Sequence, residues 1–195
     1  MNKIVIGLTG PTGAGKSTIS KLALKYGFKT IDCDLLARKA VEKGTAGLSA
    51  LILTFGTEIL NRDGTLNRKE LAKIAFSTKE NTDLLNKTLL PYVVMLVNEE
   101  SDADRILLDA PTLYESGMDS ICSAVIGVLA DEKVRLKRII ERDGIDESDA
   151  LLRMSAGKPD VFYKEKTEHI IYNNGDQDDF IAQFEVIINK ILKGE

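Results

Sequence analysis

The stretch Gly10-Pro-Thr-Gly-Ala-Gly15-Lys16-Ser17 decides the fold of this chain, and it directly follows the apolar run Ile4-Val-Ile-Gly-Leu8. Glycines at this spacing let several backbone N–H groups point at one anion, and the helix that begins after them adds partial positive charge. Lys16 can then reach the β- and γ-phosphates of a nucleotide, while the Ser17 hydroxyl can ligate Mg²⁺. The pattern therefore predicts a phosphate-binding loop (P-loop). The residues expected to contact the nucleotide are Gly10, Pro11, Thr12, Gly13, Ala14, Gly15, Lys16, Ser17 and Thr18.

The apolar pattern on either side of the loop predicts an α/β fold. Short apolar runs, typical of strands covered on both faces, alternate with longer segments of helical spacing. The predicted strands are residues 3–8, 28–32, 105–109, 124–130 and 169–172, and the main helices are 16–26, 131–143 and 178–192. A strand before the loop and a helix after it are what phosphate binding requires, which argues against a glycine-rich turn with a chance lysine. We predict a P-loop NTPase-type parallel sheet of about five strands, flanked by helices.

Two mainly helical stretches interrupt this alternation. We expect a single domain, 1–195, with its core at about 1–44, 103–130 and 169–195, a helical insert at about 45–102 and a helical lid at about 131–168. Insertions of this kind can form a substrate site with a movable cover, although they can also simply enlarge the core. Within the insert, Asn67 and Thr78 are expected to cap helices, 61–64 to form a turn, and Pro91 to begin a new helix.

Composition excludes several classes of protein. The 195 residues carry 26 Lys and Arg against 30 Asp and Glu, a net charge of −4, so a general nucleic-acid-binding surface is not expected. A single histidine rules out a multi-histidine metal centre, and Cys33 and Cys122 are too few for a disulfide framework. No apolar run approaches the length of a membrane span. We expect a cytoplasmic protein, either a monomer or a weak homo-oligomer.

Two acidic segments are candidates for chemistry next to the loop. Asp32-Cys33-Asp34 ends the second predicted strand, and residues two apart on an extended segment share a face, so both acids could address one site. Asp34 could accept the proton of an attacking hydroxyl, or it could only cap the following helix. Asp109 ends another buried strand, the usual place for a carboxylate that holds Mg²⁺ through water, although aspartate is also common at such turns.

Three arginines on one predicted helix are candidates for phosphate binding. At about 100° per residue, Arg135, Arg138 and Arg142 form one stripe. Their guanidinium groups suit bidentate capture of phosphate oxygens. The alternative is a solvated face that pairs with Asp131, Glu132 and Glu141.

These features favour a small-molecule kinase among P-loop proteins. The chain lacks the N-K-x-D segment with which GTP-binding switch proteins recognise the base. Two other hypotheses stay open: a nucleoside or nucleotide kinase of similar build, and an ATP-dependent regulatory switch. ATP turnover that depends on an acceptor separates the enzymes from the switch, and the identity of the acceptor separates the two kinases.

Several separated segments resemble the dephospho-CoA kinase family over nearly the whole chain. They begin at Gly7 (GLTGPTGAGKS), Ile31 (IDCDLLAR), Phe55 (FGTEIL), Asp63 (DGTLNRKEL), Leu107 (LLDAPTLYESG), Leu136 (LKRIIERDG) and Ile171 (IYNNG). The resemblance implies a nucleotide core, a helical insert that binds dephospho-CoA, and a lid.

The same resemblance implies a reaction and roles for particular residues. It implies that the γ-phosphoryl group of ATP passes to the ribose 3′-hydroxyl of dephospho-CoA; Mg²⁺ is the metal expected from Ser17 and Asp109. By position, Asp34 resembles the family's base, Lys16 its phosphate lysine and Arg142 its lid arginine. The remaining residues expected at the nucleotide are Arg138 and, beside the adenine, Asn174 and Gly175.

Overall fold

A computed structural model describes residues 3–100 and 102–194 of the chain. The chain divides into two compact units. The first comprises Met1–Thr30, Ala103–Pro111 and Cys122–Glu195, and the second comprises Ile31–Asp102 and Thr112–Ile121.

A five-stranded sheet has the order β2-β3-β1-β4-β5. The strands are β1 (Ile4–Thr9), β2 (Lys29–Asp32), β3 (Arg105–Asp109), β4 (Ala124–Leu129) and β5 (His169–Tyr172). The pairings of β1 with β3, β1 with β4 and β4 with β5 are all parallel. The predicted fold class is confirmed, because these strands form one sheet with parallel pairings, and helices such as α1 and α9 cover it.

Helices make up most of the rest of the described chain. They are α1 (Lys16–Ala23), α2 (Cys33–Lys39), α3 (Ala46–Phe55), α4 (Arg68–Ala75), α5 (Lys79–Glu100), α6 (Glu132–Asp143), α7 (Glu147–Ser155), α8 (Asp160–Lys166) and α9 (Gln177–Lys193). Short 3₁₀ turns occupy Leu24–Tyr26, Thr57–Ile59 and Met118–Ile121. Among the described residues, no helix is both long and apolar enough to span a membrane.

The core of the first unit lies between the sheet, α1 and α9. Phe180, Phe184 and Ile188 recur every four residues on α9 and are almost completely buried. They pack with Ile19 of α1 and with inward-facing strand residues such as Ile6. A helix with this spacing buries one continuous apolar stripe, and this packing fixes the start of α1, where the P-loop ends.

In the second unit, α2, α3 and α4 all pack against the long helix α5. The predicted caps are confirmed, because the Asn67 side chain accepts from the Glu70 N–H at 3.2 Å and the Thr78 hydroxyl accepts from the Asn81 N–H at 3.1 Å. The predicted turn at 61–64 is also present, closed by the Gly64 N–H and the Asn61 carbonyl at 3.0 Å.

The prediction that Pro91 begins a new helix is wrong. Pro91 lies inside α5, which runs without a break over 22 residues. A proline in a helix interior forfeits one backbone hydrogen bond at a cost of about 3 kcal/mol. However, Leu85, Val93 and Val97 are buried on both sides of it, so one apolar face continues across the proline. Burial of that face outweighs the lost bond.

Candidate active site

The P-loop leaves β1 beside two other strands of the first unit. Leu8 lies opposite Asp109 of β3, and Thr9 lies opposite Gly127 of β4. Gly10 has φ +139°, and a Cβ there would lie 2.2 Å from the Val128 carbonyl oxygen. The first glycine of the motif is therefore required by both its backbone conformation and the close approach of β4.

Lys16 lies across the loop that precedes it. Its ammonium donates to the Gly10 carbonyl at 2.8 Å. The loop is also closed by a hydrogen bond from the Ala14 N–H to the Pro11 carbonyl at 3.3 Å. An ammonium has three donor protons, and this bond uses one of them. Lys16 therefore lies beside the glycine-rich segment that would surround an anion.

Asn173 braces the P-loop, a role that the sequence analysis missed. The residue is 9% exposed, and its side-chain amide nitrogen donates to the Ala14 carbonyl at 2.8 Å. A Cβ on Gly15 would lie 2.2 Å from that nitrogen, so loop and amide are in close contact. Arg138 donates in turn to the backbone and side-chain oxygens of Asn173, each at 3.0 Å. Arg138 therefore holds Asn173 in place, and Asn173 in turn holds the P-loop at Ala14.

Asn174 joins the end of β5 to the start of α6. Its side-chain oxygen accepts from the Asp131 N–H at 2.8 Å, and its amide nitrogen donates to the Asp131 carboxylate at 3.1 Å. Gly175 follows with φ +134°, a conformation that favours glycine. The expected position of these two residues beside an adenine stays a prediction.

Asp109 lies at the carboxyl end of β3 and accepts from the Ser20 hydroxyl at 3.0 Å. Ser17 occupies the first turn of α1. A hydroxyl and a carboxylate are oxygen donors of the kind that Mg²⁺ prefers, and kinases usually hold Mg²⁺ with one or two protein groups, phosphates and water. Ser17 and Asp109 therefore fit the predicted metal.

The arginines of α6 do not form the single open stripe that helical spacing suggested. Arg135 is 8% exposed, donates to the Ala130 carbonyl at 3.0 Å and pairs with Asp160 at 3.2 Å. Its neighbours in space come from other elements, which a helical wheel does not contain. Arg135 thus links α6 to α8. Its acidic partner is Asp160, and not Asp131, Glu132 or Glu141, the acids expected to pair with the stripe.

Arg142 pairs with the residue that follows it. Its guanidinium donates to both carboxylate oxygens of Asp143 at 2.7 and 2.9 Å, and Arg153 donates to the same carboxylate at 2.5 Å. These hydrogen bonds, above all those from Arg142, hold the pKa of Asp143 below its ordinary value. Two guanidinium groups thus share one carboxylate at the end of α6.

The acids after β2 do not lie on an extended segment. Asp32 ends β2, and its carboxylate accepts from the Leu35 N–H at 3.0 Å, so Asp32 is the N-cap of α2. Asp34 lies in the first turn of the helix. The alternative that Asp34 caps this helix is therefore wrong, and so is the expectation that both acids share a face of one strand. Either aspartate is a good cap by type, and the earlier one takes the position.

A cavity of about 350 Å³ in the second unit contains Asp34 in its wall. Its charged lining residues are Asp34 and Arg38 of α2 and Arg68 of α4. The rest of the lining is apolar: Ala37, Val41, Leu66, Leu71, Ala72, Phe76, Leu85 and Leu89. Small-molecule sites have this character, a mostly apolar wall with a few polar groups that fix orientation.

Comparison with known proteins agrees with these features. The model of the dephospho-CoA kinase family matches residues 4–179. A dephospho-CoA kinase of Arabidopsis thaliana is 36% identical over 195 residues, which is 97% of this chain and 84% of the relative.

Solved structures show the same likeness. A dephospho-CoA kinase from Campylobacter jejuni is 26% identical, with a TM-score of 0.57 over 97% of this chain and 98% of the other. A Thermus thermophilus protein superposes with a TM-score of 0.75 at 28% identity, over 97% of this chain and 98% of its own. The match of family and fold along nearly the whole length places this chain in the dephospho-CoA kinase family.

Proposed function

We propose that this protein transfers the γ-phosphoryl group of ATP to the ribose 3′-hydroxyl of dephospho-CoA, giving coenzyme A and ADP. The observation that carries the proposal is the cavity around Asp34, in a chain that also has a fully formed P-loop and belongs to this kinase family. A P-loop alone provides for a nucleotide donor, whereas a kinase also needs a site for an acceptor.

The donor side of the reaction depends on the P-loop. Lys16 exchanges its bond to the Gly10 carbonyl for the β- and γ-phosphates. Asn173 and Arg138 keep the loop in place behind it. Once Lys16 contacts the phosphates, it does not have to move again as negative charge shifts toward the leaving oxygen. Its charge therefore stabilises the transition state more than the bound substrate.

Ser17 and Asp109 are the residues that would hold Mg²⁺, Ser17 through its hydroxyl and Asp109 through its carboxylate. When bound, the metal would supply Lewis-acid chemistry that neutralises part of the negative charge of the phosphates. The hydrogen bond from Ser20 orients the Asp109 carboxylate for this role.

Asp34 is proposed to act on the acceptor. The 3′-oxygen of the ribose forms a bond to the γ-phosphorus, the bond from that phosphorus to the β,γ-bridging oxygen breaks, and ADP leaves. The hydroxyl proton passes to the Asp34 carboxylate, which also orients the hydroxyl before attack.

Arg142 is proposed to bind the transferring phosphoryl group from α6. Arg142 must first break its hydrogen bonds to Asp143, and Arg153, which donates to the same carboxylate, lowers the free-energy cost of breaking them. Because Arg153 still pairs with Asp143, no carboxylate loses all its cationic partners when Arg142 moves.

The protein is further proposed to work in the cytoplasm as a monomer or weak homo-oligomer. The chain has two cysteines, too few for the disulfide framework of a small secreted protein, which suits a reducing compartment.

A coupled assay for ADP with a panel of acceptors tests the function. With ATP and Mg²⁺, dephospho-CoA should stimulate turnover strongly, and adenosine or uridine should do so weakly. The Lys16→Ala variant, purified in the same way, controls for contaminating kinases. A preference for adenosine or uridine would instead support a nucleoside kinase, and turnover that no acceptor stimulates would contradict both.

A further inference from the structure

We infer that Arg38 and Arg68 bind the diphosphate of the acceptor, and that they select acceptors with a diphosphate next to the ribose over uncharged nucleosides. This inference rests on the proposed function and adds the residues that recognise the substrate. It starts from the cavity of the second unit, where Arg38 and Arg68 are the cationic lining residues.

The spacing of Asp34 and Arg38 on α2 matches the acceptor. They are four residues apart, so they lie on the same helix face, about 6 Å apart along its axis. A ribose whose 3′-hydroxyl meets Asp34 carries its 5′-diphosphate one sugar width away. Arg38 therefore lies where that diphosphate begins, and Arg68 reaches the same cavity from the first turn of α4.

Within the part of the chain that the structure describes, Arg38 and Arg68 form no ion pair or side-chain hydrogen bond. Two nearby lysines of the same unit are paired, Lys39 with Glu100 at 2.6 Å and Lys73 with Glu70 at 2.7 Å. Two unpaired guanidinium groups beside an apolar wall suit a dianionic diphosphate, which offers several oxygens for bidentate bonds.

The apolar wall accounts for the rest of the acceptor. Phe76 is 66% exposed at the edge of this cavity, and Leu66, Leu85 and Leu89 also line it. An exposed aromatic side chain on a ligand cavity provides a contact surface for an uncharged group. The organic portion of the acceptor beyond the diphosphate covers this apolar surface. The cavity thus recognises an acceptor that carries both a diphosphate and an uncharged group next to it.

Binding of dephospho-CoA to Arg38→Gln and Arg68→Gln, measured by titration calorimetry without ATP, tests the inference. Each substitution should weaken binding roughly 10- to 100-fold, because it removes charge-assisted hydrogen bonds. The affinity for ATP should stay within about threefold of the unmodified protein. Lys69→Gln is the matched control, since Lys69 neighbours Arg68 on α4 but does not line the cavity, and it should bind normally.

Competition by adenosine, which lacks the diphosphate, separates this inference from general electrostatics. Its inhibition constant against dephospho-CoA should be unchanged in both arginine variants. Binding of dephospho-CoA within about twofold of normal in both folded variants would overturn the inference, as would equal losses for adenosine and dephospho-CoA. If the arginine variants bind normally but the unmodified protein phosphorylates dephospho-CoA, the inference fails and the proposed function stands. If the unmodified protein does not phosphorylate dephospho-CoA, the proposed function itself fails.

Discussion

Replacing Asn173 with alanine should damage both the stability and the nucleotide site of the first unit. The buried amide donates to the Ala14 carbonyl at 2.8 Å and accepts from Arg138 at 3.0 Å. Alanine leaves a buried carbonyl without this donor, at about 1–3 kcal/mol, and removes a second bond of about 1 kcal/mol. The expected loss is therefore about 2–4 kcal/mol in the free energy of unfolding.

Urea denaturation and thermal melting measure this loss. For a chain of this length, each kcal/mol corresponds to about 2–4 °C, so the melting temperature should fall by about 5–15 °C. ATP should also bind roughly fivefold more weakly, the equivalent of about 1 kcal/mol, because the loop is less preorganised.

Asn174→Ala is the matched control for stability. Asn174 is exposed and its bonds to Asp131 resemble a helix cap, so its removal should cost about 1 kcal/mol or less. If Asn173→Ala unfolds within about 0.5 kcal/mol of the unmodified protein, the range of ordinary surface substitutions, the reasoning about the P-loop brace is wrong.

Three further substitutions test the proposed catalytic groups. Lys16→Ala should fold normally but lose roughly 10²-fold or more in kcat, and normal turnover by the coupled assay would remove Lys16 from the mechanism. Asp34→Asn should slow the chemical step roughly 10²- to 10⁴-fold in single-turnover experiments while ATP binding changes little; normal rates would contradict a base. Arg142→Ala should lower kcat more than it weakens dephospho-CoA binding, and Arg142→Lys should restore only part of the rate. An unchanged kcat in Arg142→Ala would mean that the pair with Asp143 is its only role.

Local signals in the sequence predicted the parts of the fold that depend on neighbours along the chain. The P-loop, the strands and the caps at Asn67 and Thr78 all follow from residues a few positions apart. The sequence could not choose between Asp32 and Asp34 as the cap of α2, because both are favourable by type. It also could not show that packing on both sides of Pro91 would carry α5 through a proline.

Contacts between distant segments were beyond sequence reasoning. Asn173 meets the Ala14 carbonyl across 159 positions. The only advance signal was a pair of asparagines directly after a strand, and the one singled out was Asn174. Likewise, the helical spacing of Arg135 and Arg142 predicted their directions on α6 but not their partners Asp160 and Asp143, since side-chain partners depend on how other elements pack.

The most direct test of the central claim is ³¹P NMR of the product formed from ATP, Mg²⁺ and dephospho-CoA. The account predicts a new phosphomonoester resonance, coupled to the ribose H3′ proton, that grows as ADP appears and grows roughly 10²-fold or more slowly with Lys16→Ala. Formation of ADP with inorganic phosphate alone, or a phosphomonoester at any position other than the 3′-hydroxyl, would contradict it.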